Sequence, residues 1–120
     1  MQRRRKFRIN TKISKPVEVT FTLPNEEEVT LTAGNISGGG LCLRDVEHVL
    51  ECEPRQLLAG CRIQIPDVEP FLIDLEVRHF YEKTKKNGTS VHYVGCEFKN
   101  MRANHEHDIQ HYINALQLEG

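Results

Sequence analysis

The residues best suited to chemistry fall in two short runs. Arg3, Arg4, Arg5, Lys6 and Arg8 put five cations in the first eight residues, and Arg4 and Arg8 form an R-x-x-x-R pair. A guanidinium is a planar fork. It grips phosphate oxygens or the O6/N7 edge of guanine through two parallel hydrogen bonds, and it also stacks on a base. The second run is Asn35-Ile36-Ser37-Gly38-Gly39-Gly40, an N-x-S-x-x-G pattern. On an extended chain Asn35 and Ser37 share one side, so an amide and a hydroxyl face a single ligand. The glycines at 38 to 40 let the backbone bend and let a flat ring come close to it. Each run alone is unspecific, because R-x-x-x-R arises in any basic segment and N-x-S before glycine is an ordinary turn. Their combination in one small β domain is the informative feature.

Other chemistries find less support. Ser37 and the six histidines form no recognisable triad or nucleophile elbow, so no enzyme is expected. His107 and His111 are four apart, with His105 nearby, but no closed ligand set with zinc spacing exists. They are read as an exposed polar helix face, and no metal site is expected. The four cysteines, at 42, 52, 61 and 96, show no C-x-x-C spacing, and Cys42 and Cys96 sit in apolar runs. They read as reduced core thiols of a cytoplasmic protein. The net charge of -1, from 16 basic and 17 acidic residues, argues against a broad basic face for a nucleic acid polymer. A small RNA-binding barrel would interleave aromatics with cations, and Phe7 is the one such residue in the basic arm. No apolar run approaches the roughly 18 residues of a membrane span. The basic N-terminus lacks the apolar segment of a secretory signal.

The elements that must position the two runs read as strands. With 120 residues, 38% of them hydrophobic and 28% charged, the chain fits one globular domain. Val17, Val19, Phe21 and Leu23 alternate with polar residues, and Val29 and Leu31 repeat the pattern after a Pro24-Asn25-Glu26 turn. Leu41 to Leu43 begins a short strand, and Arg62 to Ile65 forms another. Residues 46 to 60 read as irregular, with Leu57 and Leu58 in a helical turn. Phe71 to Tyr81 is a long strand with Phe71, Ile73, Leu75, Val77 and His79 on one parity, followed by a Lys86-Asn87-Gly88 turn and a strand from Ser90 to Phe98. Asn104 is placed as the cap of a closing helix whose apolar stripe is Ile109, Tyr112, Ile113 and Leu116. Such a stripe packs on the barrel or on a second copy, giving a monomer or a weak homodimer. The fold class is all-β: a six-stranded antiparallel β-barrel over 16–98 with a C-terminal α-helix over 105–118 and an arginine-rich arm over 1–9.

Taken together, these pieces resemble the PilZ domains. The resemblance rests on Gln2 to Arg8, on Asn35 to Gly40, and on Val94-Gly95-Cys96-Glu97-Phe98, which is similar to the last barrel strand of that family. The closing helix is similar to that of the flagellar-brake subfamily, whose members carry a separate β domain ahead of the arginine motif, where this chain has Met1. The resemblance implies a six-stranded barrel that binds the bacterial second messenger cyclic di-GMP, with Arg4 and Arg8 as the arginine pair and Asn35, Ser37 and Gly40 as the second motif. Gly38 and Gly39 belong to the same turn. Arg3 adds a third guanidinium, from which two stacked ligand molecules per domain are expected. The implied role is a receptor in motility, biofilm or exopolysaccharide control, with a protein partner such as the flagellar motor. The alternatives are a ligand-independent protein-interaction barrel and a small RNA-binding β-barrel. Mutual repulsion of its five cations is expected to leave the free arm mobile, and the ligand is expected to draw it across the glycine turn.

Overall fold

Alternating apolar residues and two hairpin turns organise the chain into strands. The computed structural model describes residues 9–10, 16–23, 25–50 and 52–119. Strand β1 is Ile9–Asn10, β2 Glu18–Thr22, β3 Glu28–Ile36, β4 Gly40–Asp45, β5 Leu57–Gln64, β6 Phe71–Thr84 and β7 Ser90–Lys99, followed by helix α1, Ala103–Glu119. Residues 1–8 of the arm expected over 1–9, with Arg3, Arg4 and Arg8, lie outside the described residues. Hydrogen bonding runs β3-β2-β5-β6-β7-β4, and β4 returns to β3, so six antiparallel strands close into a barrel. The short β1 adds outside this ring against β3.

Closure gives every strand one inward parity. Val19, Ala33, Leu41, Leu43, Ile63, Leu75, Val94 and Cys96 are fully buried there. Helix α1 closes one end in cis: Ile109, Tyr112, Ile113 and Leu116 are all within 5% of full burial and belong to the barrel's own core cluster. The His105 ring stacks on Phe71 at 4.0 Å, holding the first turn to the start of β6. That contact carries the helix back to Ala103, and Glu106 N–H donates to the Arg102 carbonyl, so Arg102 caps it and Asn104 lies inside.

The structure corrects the strand reading at two β-bulges. Residues 57 and 58 are not helical but open β5, which slips register between Leu58 and Cys61. Gly60 sits there at φ +65° and its N–H donates to the Asp74 carboxylate at 2.9 Å, so an inserted residue hid the alternation. A second slip lies between Val77 and His79. It turns both Arg78 and His79 outward and brings Phe80 in against the core, so His79 leaves the buried parity assigned to it.

All four cysteines are thiols, not disulfides. Cys61 and Cys96 belong to the core. Cys42 is also buried, but it points to the outer side, where the Tyr81 hydroxyl lies 3.7 Å from its sulfur. Among the described residues no helix is long and apolar enough to cross a membrane.

Two measurements check this packing. Leu75→Ala empties a fully buried site and lowers stability in urea unfolding by about 2–5 kcal/mol. Leu72→Ala, at a side chain 65% exposed, changes it by no more than about 0.5 kcal/mol. Burial, then the nearby Asp74, pushes the Cys61 thiol up to about 11 from 9.0. Below pH 9.0 the thiol is neutral in both states; between there and about 11 only the unfolded chain ionises it, so stability falls as pH rises through that window. Cys61→Ala removes this part of the alkaline slope.

Candidate functional site

The N-x-S-x-x-G run forms the β3–β4 connection. The Ser37 N–H donates to the Gly40 carbonyl at 2.8 Å, and the Gly39 N–H donates to Ser37 Oγ at 3.1 Å. Phe98 N–H donates to the Gly39 carbonyl at 2.9 Å, fastening the turn to β7. Ser37 is 4% exposed, and its hydroxyl is engaged by the turn's own backbone. Sequence parity expects that hydroxyl beside the Asn35 amide; the structure places it inside the turn. Gly40 is required by space. A Cβ there would overlap the Cys96 carbonyl oxygen on the adjacent strand. Positive φ is not the reason, since among the described glycines only Gly60 and Gly88 adopt it.

Asn35 reaches the outer face through a bulge. Ala33 pairs with Leu43, but Asn35 pairs with Cys42, so residue 34 is inserted. Ala33 and Ile36 both stay fully buried, and Gly34 and Asn35 face outward. Strand β1 pairs with this segment, Asn10 opposite Asn35 and Ile9 opposite Ile36. Ile9 and Asn10 thereby run along the edge of β3 at Ile36 and Asn35.

From Asn35 a row runs across the barrel: Cys42, Gly95 and His79 are successive partners on β4, β7 and β6. The next row is Thr32, Arg44, Tyr93 and Tyr81. The Tyr81 and Tyr93 rings stack at 5.1 Å, and His79 lies parallel to Tyr81 at 6.3 Å. The His79 ring covers Gly95, whose added Cβ would lie 2.5 Å from its Nε2. Arg44 passes over Gly34 and makes no ion pair among the described residues. Sequence reading missed Arg44, His79, Tyr81 and Tyr93. The bulge in β6 hid that His79 and Tyr81 face outward, and the cross-strand neighbours are far apart in sequence.

Beyond the turn, Gly40 pairs with Glu97, which pairs with Glu76. Arg78 reaches Glu97 at 3.0 Å and Glu76 at 3.5 Å, and Lys99 reaches Glu76 at 3.2 Å and Glu97 at 3.3 Å. The Lys99 hydrogen bond holds the Glu76 carboxyl below its ordinary range, and Glu76 in turn raises Lys99. The two acids and two bases neutralise one another, whereas Arg44, in the row beside Asn35, and Lys83, 5.7 Å over the Tyr93 ring, make no ion pair among the described residues. A cavity of about 510 Å³ at the barrel's end, lined by Phe21, Leu23, Leu50, Cys52, Leu57 and Leu58 among others, shares no residue with this face.

An antiparallel six-stranded barrel with an apolar core, closed at one end by a helix and carrying a polar and aromatic outer face, defines the class of fold. The chain belongs to the PilZ domain family, whose pattern matches residues 2–115. It is 34% identical to the flagellar brake protein YcgR of Janthinobacterium sp. (strain Marseille), across 99% of this chain and 48% of that protein. It is 28% identical to YcgR of Thiobacillus denitrificans (strain ATCC 25259 / T1), across 98% and 47%. The chain spans about half the length of the curated relatives it matches. Its fold is similar to the PilZ domain with c-di-GMP of YcgR from Escherichia coli, at TM-score 0.79 and 20% identity over 98% of this chain and 94% of that one. It is likewise similar to the K. pneumonia MrkH–c-di-GMP complex, at TM-score 0.83 and 22% identity over 99% and 54%.

The two glycines of the face separate by what they touch. Gly40→Ala meets backbone that cannot yield and costs about 1–3 kcal/mol in denaturant unfolding. Gly95→Ala meets the far end of a side chain, so its cost stays below about 1 kcal/mol while the His79 ring resonances shift. Ser37→Ala costs about 0.5–1.5 kcal/mol of stability, because the Gly39 N–H loses its acceptor.

Proposed function

We propose that this domain is a receptor for cyclic di-GMP that acts by binding rather than catalysis. The observation that carries the reading is the pairing of Asn10 with Asn35, which brings the residues that follow the arginine run to the strand leading into the glycine turn. Membership of the PilZ family supports it. So do the YcgR and MrkH structures described with c-di-GMP. The chemistry agrees: the ligand has two phosphates and two guanines and needs cations, edge readers and flat surfaces. Arg4 and Arg8 grip phosphate and guanine edges. Asn35 reads a base edge, Ser37 shapes the turn, and Gly38, Gly39 and Gly40 admit a ring close to the backbone. Arg3 clamps a second, stacked molecule, with Arg44 and the Tyr81–Tyr93 pair on the neighbouring row.

The output follows from the arm. Binding neutralises Arg4 and Arg8, fixes the arm across the turn and creates a new surface for a protein partner. Ordering costs roughly 1–2 kcal/mol per residue, which the phosphate and guanine contacts must exceed. The YcgR relatives support a motility brake acting on the flagellar motor, in the cytoplasm where the nucleotide signals.

Calorimetric titration with cyclic di-GMP tests the reading. Wild type binds at micromolar ligand or better, with a stoichiometry near two. Arg8→Ala loses a charge-assisted contact of about 1.5–3 kcal/mol, so affinity falls roughly ten- to hundredfold, and wild-type affinity weakens with added salt. Absence of heat at micromolar ligand overturns the receptor reading. A stoichiometry near one removes the second molecule. Equal amide-exchange protection of residues 3 to 9 with and without bound ligand removes the arm as the switch.

A further inference from the structure

Away from the ligand face, three donor side chains converge at the rim of the barrel. Glu82 and His92 are direct partners on β6 and β7. They share the parity of Phe80 and Val94, but sit beyond the core, where the hairpin projects past the rim. His48 comes from the loop after β4 and turns back over the same strand, since Asp45 is itself the β4 partner of His92. That loop is tightly held. The fully buried Asp45 carboxylate accepts the Val49 and Leu50 N–H groups, each at 2.8 Å. His48 between them takes φ +54°, a left-handed conformation that a non-glycine residue adopts at a cost.

The result is a His–Glu–His constellation whose three ligand atoms lie within 4.8 Å of one another. The imidazole rings are 5.3 Å apart, and Glu82 Oε2 stands 3.7 Å from His92 Nδ1 and 4.0 Å from His48 Nδ1. These separations are too long for hydrogen bonds, so the groups converge without satisfying one another. Around a tetrahedral cation with bonds of about 2.0–2.1 Å, donors stand roughly 3.4 Å apart. Small side-chain rotations close that gap. His92 is the more enclosed of the two rings and lies against Phe80 at 5.7 Å. The solvent side of the cluster leaves a fourth position open.

We propose that His48, Glu82 and His92 form a binding site for a divalent cation of the zinc type. Two imidazoles and one carboxylate suit such borderline ions better than magnesium or calcium, which prefer oxygen. The ion ties three separate segments together, the β4–β5 loop, β6 and β7, and stiffens the projecting end of the hairpin. The opposite face of that hairpin carries Tyr81 and Tyr93. The site is independent of the cyclic di-GMP reading and uses none of its residues.

Titration of the chain with zinc chloride, followed by calorimetry and by histidine side-chain nitrogen shifts, tests the site. One zinc binds per chain, and the ring nitrogens of His48 and His92 move. His48→Ala and His92→Ala each weaken binding at least roughly tenfold, and Glu82→Gln weakens it less. The double variant His107→Ala/His111→Ala binds as wild type. These variants sit at exposed or rim positions, and the nitrogen shifts of the unmodified chain give a reading that does not depend on them. The proposal is overturned if zinc shifts His107 and His111 instead, if binding disappears on alkylating the cysteines, or if no heat appears at about millimolar zinc.

Discussion

The close approach of the β3–β4 turn to strand β7 is the constraint on which the rest of this domain depends. Six strands close only if β4 can lie against both β3 and β7, and Gly40 begins β4 where a side chain would strike the Cys96 carbonyl. Ser37 tightens the same turn from inside, and the Phe98–Gly39 hydrogen bond ties it to the last strand. A tight turn leaves no loop to cover Asn35. The opposite edge of β3 beyond Thr32 is left open because β2 pairs only with Glu28–Thr32, and β1 pairs there. The steric requirement at Gly40 thus closes the barrel and leaves Asn35 uncovered, and the end of β2 leaves room for β1.

Separation of core from site follows. The interior is filled by aliphatic side chains and sealed by α1, so chemistry with a polar ligand belongs on the outside. There the Glu76–Arg78–Glu97–Lys99 network cancels its own charge. Exposed pairs of this kind add little stability, but they leave the field of the face to Arg44 and to Lys83 over the Tyr93 ring. The near-neutral total charge is therefore compatible with a locally cationic face, which composition alone conceals.

Bulges do much of the positioning. Without the inserted residue at 34, the alternation of Val29, Leu31 and Ala33 would carry Asn35 into the core. Without the slip at 78, His79 would be buried and Tyr81 would not lie beside Tyr93. Each costs a little ladder regularity and re-aims a side chain that the face uses. The same slip sets the parity that brings Glu82 and His92 to the rim near His48.

Local chemistry alone determined several features. Period-2 patterning marked the β2–β3 and β6–β7 hairpins, Asn87-Gly88 marked the turn between the latter pair, and the 3.6-residue stripe marked α1, because each depends on neighbours in sequence. The two motifs, and with them the family, were legible for the same reason. What only the tertiary structure decided depends on contacts between distant segments. Strand β5 was obscured by its bulge at Gly60. The helix start was moved by His105 on Phe71, Ser37 was drawn into its turn, and Gly40 was fixed by the carbonyl of a residue 56 positions away. Arg44, His79, Tyr81 and Tyr93 became one surface, and His48, Glu82 and His92 one cluster, only when β4, β6 and β7 were laid side by side. Hydrophobic periodicity specifies which face of a strand is buried, but the register between strands decides which side chains meet.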